Sequence, residues 1–148
     1  MENKHKGGSG TSGDLSLHIL QSPSCGGDEI YVEACMIAEE LFSKLSTPES
    51  RKRFREAQAL GSHSAKVQHV VWQSARELGF ASEKKGLFSN YETSALRPDM
   101  YKPLSTSGIL LEVERGKTLK NNMDLLDLWK THICTSAHYL FLFVPHFN

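Results

Sequence analysis

The residues best suited to chemistry in this chain are carboxylates. Asp99 closes the triplet Arg97-Pro98-Asp99. Thirteen residues further on comes Glu112-Val113-Glu114, inside the stretch that runs from Gly108 through Ile109, Leu110 and Leu111 to Arg115, Gly116 and Lys117. Carboxylates are seldom buried unless they are paired or bind a metal. Glu112 and Glu114 are two residues apart, so on an extended strand they share a face. Asp99 would meet them from a neighbouring strand across a short polar connection. Such a cradle suits a hard divalent cation, Mg2+ with Mn2+ as a substitute. The chemistry that follows is metal-assisted hydrolysis of a phosphodiester. Asp99 and Glu112 are then the direct ligands, with the carbonyl of Val113 as another candidate. Glu114 would orient the attacking water or act as general base. Lys117 or Arg115 would stabilise the charge that builds on the phosphoryl group. The alternative is an ordinary solvent face, on which alternating acids are common, although Leu110 shares the face of Glu112 and Glu114.

These acids need strands to hold them. Ile109–Arg115 has the strongest strand character, rich in Val and Ile, with apolar residues on both faces at its start. Ser94–Met100 is a second strand, with Pro98 marking an edge or a bulge. Phe80–Leu87 is a first strand, weakened by Glu83-Lys84-Lys85. A helix capped by Asn121 or Asn122 reaches Cys134, with Met123, Leu126, Trp129 and Ile133 facing inward. His138–Val144 is a continuous apolar run suited to a central strand, and Pro145 ends it. The helix before that strand makes a crossover, so the last two strands are expected to be parallel and the earlier ones an antiparallel meander. Upstream, Ile30, Ala34, Ile37, Ala38, Leu41 and Leu45 recur at helical spacing. Thr47-Pro48 opens a second helix that runs to about Ala59. Val67, Val70, Val71, Ser74 and Leu78 form the inner face of a third, which Gly79 stops. The expected architecture is one α/β domain: a central mixed sheet of about four strands flanked by helices, with extra N-terminal helices. Residues 1–27, rich in Gly and Ser around the island Leu15–Leu20, read as a tail. Residues 28–60 form a helical segment that belongs with the core at 61–148.

The chain has 148 residues, enough for a core without disulfides. Its 17 basic and 17 acidic residues cancel, which argues against a protein that merely coats nucleic acid but allows a local basic face. The three cysteines, scattered and without a Cys-x-x-Cys, suit a reducing compartment. No apolar run is long enough for a bilayer and the N-terminus has no signal-peptide core. A soluble, cytoplasmic protein that makes no membrane contact is therefore expected. Basic residues crowd between Lys44 and Lys66: Arg51, Lys52, Arg53, Arg55 and Lys66 outnumber Glu49 and Glu56. They could position DNA through its phosphates or form a solvated helix face. Lys130 could face phosphate as well. Gly116-Lys117-Thr118 is not a phosphate loop, because position 111 is Leu where that motif requires Gly. The histidines lack the four-ligand spacing of a zinc site.

The element order and the residues Pro98-Asp99 and Glu112-Val113-Glu114 resemble the PD-(D/E)XK nuclease superfamily, the restriction endonuclease-like fold, over roughly residues 62–144. The resemblance implies a core of helix, three strands, helix and strand, with Asp99 and Glu112 at its two metal-binding positions. It implies a metal-dependent DNA endonuclease that acts as a homodimer. An acid or amide on the helix before the first strand sometimes supports the metal in that family, and both Gln68 and Glu77 are candidates. The departure is at position 114, where the family usually has Lys and this chain has Glu; Lys117 would be the substitute. That departure also suits an inactive nucleic-acid-binding module on the same fold. A protein-interaction domain with solvent-facing acids is a third possibility.

Overall fold

In the computed structural model, residues 15–21, 28–58, 65–82, 87–88, 96–114 and 123–144 are described. Arg115, Lys117 and the expected cap at Asn121 or Asn122 lie outside them, as do residues 94–95 of the expected second strand.

Three helices come first, at Glu29–Leu45 (α1), Pro48–Gln58 (α2) and Ala65–Glu77 (α3). Each boundary has a local cause. Asp28 caps α1 by accepting a hydrogen bond from the Ile30 amide, and Glu29 sits favourably in the first turn. Thr47 Oγ1 accepts from the Ser50 amide at 3.2 Å, the N-cap bond expected before Pro48. After α3, Gly79 takes φ 85°, and the Phe80 N–H turns back to the Ala75 carbonyl. That left-handed closure is strained for any residue with a Cβ.

The strands are Met100–Pro103 (β1), Gly108–Val113 (β2) and Tyr139–Phe143 (β3), with α4 at Met123–Ile133 before the last. The sheet order is β1-β2-β3. β1 and β2 are antiparallel, joined by the turn that pairs the Leu104 amide with the Ser107 carbonyl. β2 and β3 are parallel, as the α4 crossover requires. Any side chain at Gly108 would come within 2.7 Å of the Ser136 carbonyl and collide with the Tyr101 ring, so β2 must begin with glycine.

β2 is buried along its whole length, and its side chains alternate between two cores. Ile109, Leu111 and Val113 join Ala34, Leu41, Leu45, Phe54, Val71 and Phe80, the layer made with α1–α3. Leu110 joins Phe88, Leu96, Cys134 and Ala137, with Leu126 and Ile133 of α4 against them. Helices thus cover both faces of a mixed three-stranded sheet.

Two expectations change. The second strand runs over Met100–Pro103, so it shares only Met100 with the expected Ser94–Met100, and the described residues 96–99 are not strand. Pro98 has no N–H, and the Asp99 N–H is given to the Glu112 side chain, so neither residue donates to the ladder. Of the expected first strand, among the described residues only Ala81 pairs, with Tyr101 through two 2.9 Å bonds. The sheet therefore has three strands among the described residues, where about four were expected. Within the expected tail, Leu15 packs against the larger core.

Candidate functional site

The antiparallel register pairs Met100 with Leu111. Carried one residue further, it sets Asp99 opposite Glu112, where β1 has not yet begun and β2 is about to end. The side chains lock this junction. Asp99 Oδ2 accepts from the Val113 amide at 2.9 Å, and the Asp99 amide donates to Glu112 Oε2 at 3.1 Å. In a parallel ladder alternate residues turn toward the partner strand. Glu114 donates its amide to the Phe143 carbonyl, so Val113 turns its N–H and C=O the other way, toward Asp99. The Val113 carbonyl is thus on the side where the sequence placed it as a ligand.

Two helices complete the cluster. From α3, Gln68 Nε2 donates to Asp99 Oδ1 at 2.6 Å. From α4, Lys130 Nζ lies 2.9 Å from Glu112 Oε1 and 2.8 Å from Asp127 Oδ1. Asp127 is 2 % exposed, and Glu112 and Lys130 are 5 % exposed each. Asp99 is half-buried, so the cluster opens to solvent on its side.

One ammonium cannot neutralise two carboxylates. Lys130 is held above its usual pKa: burial opposes the charge, but the hydrogen bonds to Asp127 and Glu112 outweigh it. The deficit appears on Glu112, whose pKa burial pushes up to about 7 despite the Lys130 bond, with the Asp127 charge adding to the rise. Asp99, Glu112, Asp127 and Lys130 together carry excess negative charge. That is the electrostatic condition for a divalent cation. The donor set fits hydrated magnesium, which takes one or two carboxylates and keeps several waters. Asp99 and Glu112 each accept two protein hydrogen bonds and retain lone pairs, since a carboxylate has about four. Among the described residues no three His, Cys, Asp or Glu side chains are arranged to hold a metal by themselves.

No family model, curated protein or solved structure matches this chain.

The structure brings Asp99, Glu112 and the Val113 backbone together. Glu114 follows the end of β2, is 8 % exposed, and anchors its backbone to β3. Of the two candidates on the third helix, Gln68 reaches Asp99, whereas Glu77 pairs with Lys44 at 2.8 Å on the surface. Lys130, expected to face phosphate, is instead buried between two acids. Asp127 was not singled out by the sequence. Its signal was there: residues 126, 127, 130 and 133 share one side of the helix, and two of them are charged. That ion pair sets the rotation of α4. It turns Leu126 and Ile133 inward and leaves Trp129, expected in the core, 58 % exposed.

Helix α2 packs against this end of the sheet. Phe54 of α2 stacks on Phe143 at 5.4 Å, and Phe143 is the register partner of Val113. Lys52 and Arg55 of α2 are exposed, as is Lys66 at the start of α3. Arg53 is exposed but held by Glu49 at 3.0 Å and Gln73 at 2.8 Å, and Arg51 is half-buried. Among the described residues no helix is long and apolar enough to cross a membrane.

Proposed function

We propose that this chain is a magnesium-dependent DNA endonuclease of the PD-(D/E)XK type, hydrolysing phosphodiester bonds at the Asp99–Glu112 junction. The observation that carries this reading is the convergence of Gln68, Asp99, Glu112 and Lys130 from four separate segments on one partly open, negatively charged point. The helix, bridge, two strands, crossover helix and parallel strand also follow the order of that fold. Lys130 stands beside Glu112 and brings a fixed positive charge to the cluster, buried behind the two acids.

Asp99 and Glu112 would hold the ion, with the Val113 carbonyl beside them. When bound, it would neutralise phosphate charge and acidify a water. Gln68 orients Asp99. Lys130, fixed by Asp127, orients Glu112 and offsets part of its charge. Glu112 has a pKa suited to exchanging a proton near neutrality until a cation lowers it. Lys52, Arg55 and Lys66, exposed on α2 and at the start of α3, would position the DNA backbone.

The test is cleavage of plasmid and oligonucleotide DNA with Mg2+ or Mn2+, comparing the wild type with Asp99→Asn and Glu112→Gln. Both substitutions should abolish cutting while the fold is retained. Cutting that survives Asp99→Asn would refute the assignment.

A second reading, a binding module that cleaves nothing, draws support from one observation. Every carboxylate oxygen of Asp99 and Glu112 already accepts a protein hydrogen bond, as in a purely structural network. This reading expects salt-sensitive DNA binding and no cutting with either metal.

A further inference from the structure

We propose that α3 carries the substrate strand away from the Asp99–Glu112 junction, and that this strand is single-stranded DNA whose bases stack on His69 and Arg76. The inference rests on the endonuclease reading for its starting point and goes beyond it in naming the form of the DNA. Gln68, Trp72 and Arg76 stand four residues apart on α3, so their side chains make one ridge along the helix. The ridge begins at the acid cluster itself, where Gln68 Nε2 donates to Asp99 Oδ1 at 2.6 Å. Arg76 lies two steps of the ridge further on, about 12 Å along the axis at about 1.5 Å per residue. That spans about three to four nucleotides at stacked spacing.

Flat groups build this ridge. The Arg76 guanidinium carbon sits over the Trp72 ring, 5.3 Å from its centre. The His69 ring is stacked on the same indole, with centres 6.3 Å apart and planes 15° apart. Trp72 is half-buried and packs against the larger core, whereas His69 and Arg76 are exposed. The indole is thus a fixed support for an imidazole and a guanidinium that both reach solvent. Neighbouring helices leave the ridge alone: Glu77 bonds Lys44 of α1, and Gln73 bonds Arg53 of α2.

The chemistry of the ridge selects an unpaired strand. A duplex turns its phosphates outward and keeps the faces of its bases stacked inside. Phosphates ask only for cations, which Lys52, Arg55 and Lys66 already offer. Aromatic and guanidinium planes bind the faces of bases, by stacking and cation–π contact, and accept any base because each has a π-face. Resting on Trp72 also fixes the Arg76 plane before a base arrives, which lowers the ordering cost of binding. A duplex with a single-stranded tail beside the cut is the substrate that uses both sets of groups.

The experiment measures binding in chelator, so that nothing is cut, by fluorescence anisotropy. The probes are a labelled oligo-dT of about 12 nucleotides and a blunt duplex of the same length. The wild type should bind the single strand at least about fivefold more tightly than the duplex. His69→Ala and Arg76→Ala change exposed side chains, and each should weaken single-strand binding at least about fivefold, the lower bound for one lost stacking contact. Duplex binding and the circular dichroism spectrum should stay near wild type. Arg76→Lys keeps the charge without the plane and should not restore affinity. In a Trp129→Phe background Trp72 is the only tryptophan, and oligo-dT should quench its emission where the duplex does not. Equal affinity for the two probes overturns the proposal, as does binding of neither. So does single-strand binding that both alanine variants leave unchanged, or that Arg76→Lys restores in full. Cutting in Mg2+ is scored separately. Loss of single-strand binding in the variants of a protein that never cuts would sustain the track and refute the endonuclease. Asp99-dependent cutting of DNA with no contribution from His69 or Arg76 would do the reverse.

Discussion

Replacing Lys130 by methionine keeps the length and the apolar stem of the side chain and deletes only its ammonium. Two contacts vanish, at 2.9 Å to Glu112 and 2.8 Å to Asp127. Two carboxylates that are 5 % and 2 % exposed are left without their common cation. Removing one partner of a buried pair costs about 3–5 kcal/mol, because the remaining charge stays desolvated. An abandoned carboxylate can escape by taking up a proton, which for an acid of reference pKa near 4 costs about 4 kcal/mol at pH 7. For Glu112, already near 7, this escape is almost free. The expected loss is therefore about 3–4 kcal/mol at pH 7.5, or roughly 10 °C in Tm for a chain of this size. At about pH 4.5 Glu112 is already protonated, so its share of the loss disappears and the total should be smaller. Urea denaturation of both proteins in chelator, at several pH values between these limits, measures the difference. Lys130→Arg keeps the charge and should recover part of it. A loss below about 1 kcal/mol at pH 7.5 would refute a buried, ion-paired Lys130. A loss equal at both ends of the range would show that the side chain acts through packing alone.

Glu112 itself sets a second pH dependence. Its folded pKa of about 7 lies above the unfolded value of 4.5. The stability it contributes is complete below pH 4.5 and is lost as pH rises through 7, by up to about 3 kcal/mol. Glu112→Gln removes this titration, so without metal the variant should be the more stable protein above pH 7 and should show a flatter profile in thermal melts. On the DNA side, Lys52→Ala with Arg55→Ala should weaken binding uniformly across sequences. The plot of log affinity against log salt should flatten by about 0.9 per phosphate contact removed; an unchanged slope would exclude α2 from the interface. Gly108→Ala should destabilise the fold by more than about 1 kcal/mol, since its Cβ meets a carbonyl and a ring. A wild-type denaturation midpoint would contradict that packing. Gln68→Ala should reduce cleavage without abolishing it, seen as a fall in kcat larger than the change in KM, because Gln68 acts through Asp99.

Local patterns carried the helices. Apolar spacing marks α1, Thr47-Pro48 opens α2 and Gly79 ends α3, because each depends on residues within a turn or two of one another. The apolar run of β2 and the crossover before β3 likewise follow from short-range pattern and chain connectivity. The pairing of Asp99 with Glu112 was legible for the same reason: a thirteen-residue separation spanning one tight turn leaves few registers. The weak spots were places where a side chain competes with the backbone. Glu112 takes the Asp99 N–H that a longer β1 would have used, and no local propensity encodes that choice.

What the sequence determined by itself, then, was the set of helices, the buried strand and the two acids across one turn. Tertiary structure decided the rest. It chose Gln68 over Glu77, because only the approach of α3 to the end of the sheet brings one amide within 2.6 Å of Asp99. It turned Lys130 from an expected surface contact into the buried partner of Glu112 and Asp127, and so pushed Trp129 outward. Helical periodicity gives the angle between residues on a helix but not the rotation of that helix against its neighbour. That rotation is settled by contacts with the neighbouring elements, here the two bonds of Lys130 to Glu112 and Asp127 together with the packing of Leu126 and Ile133.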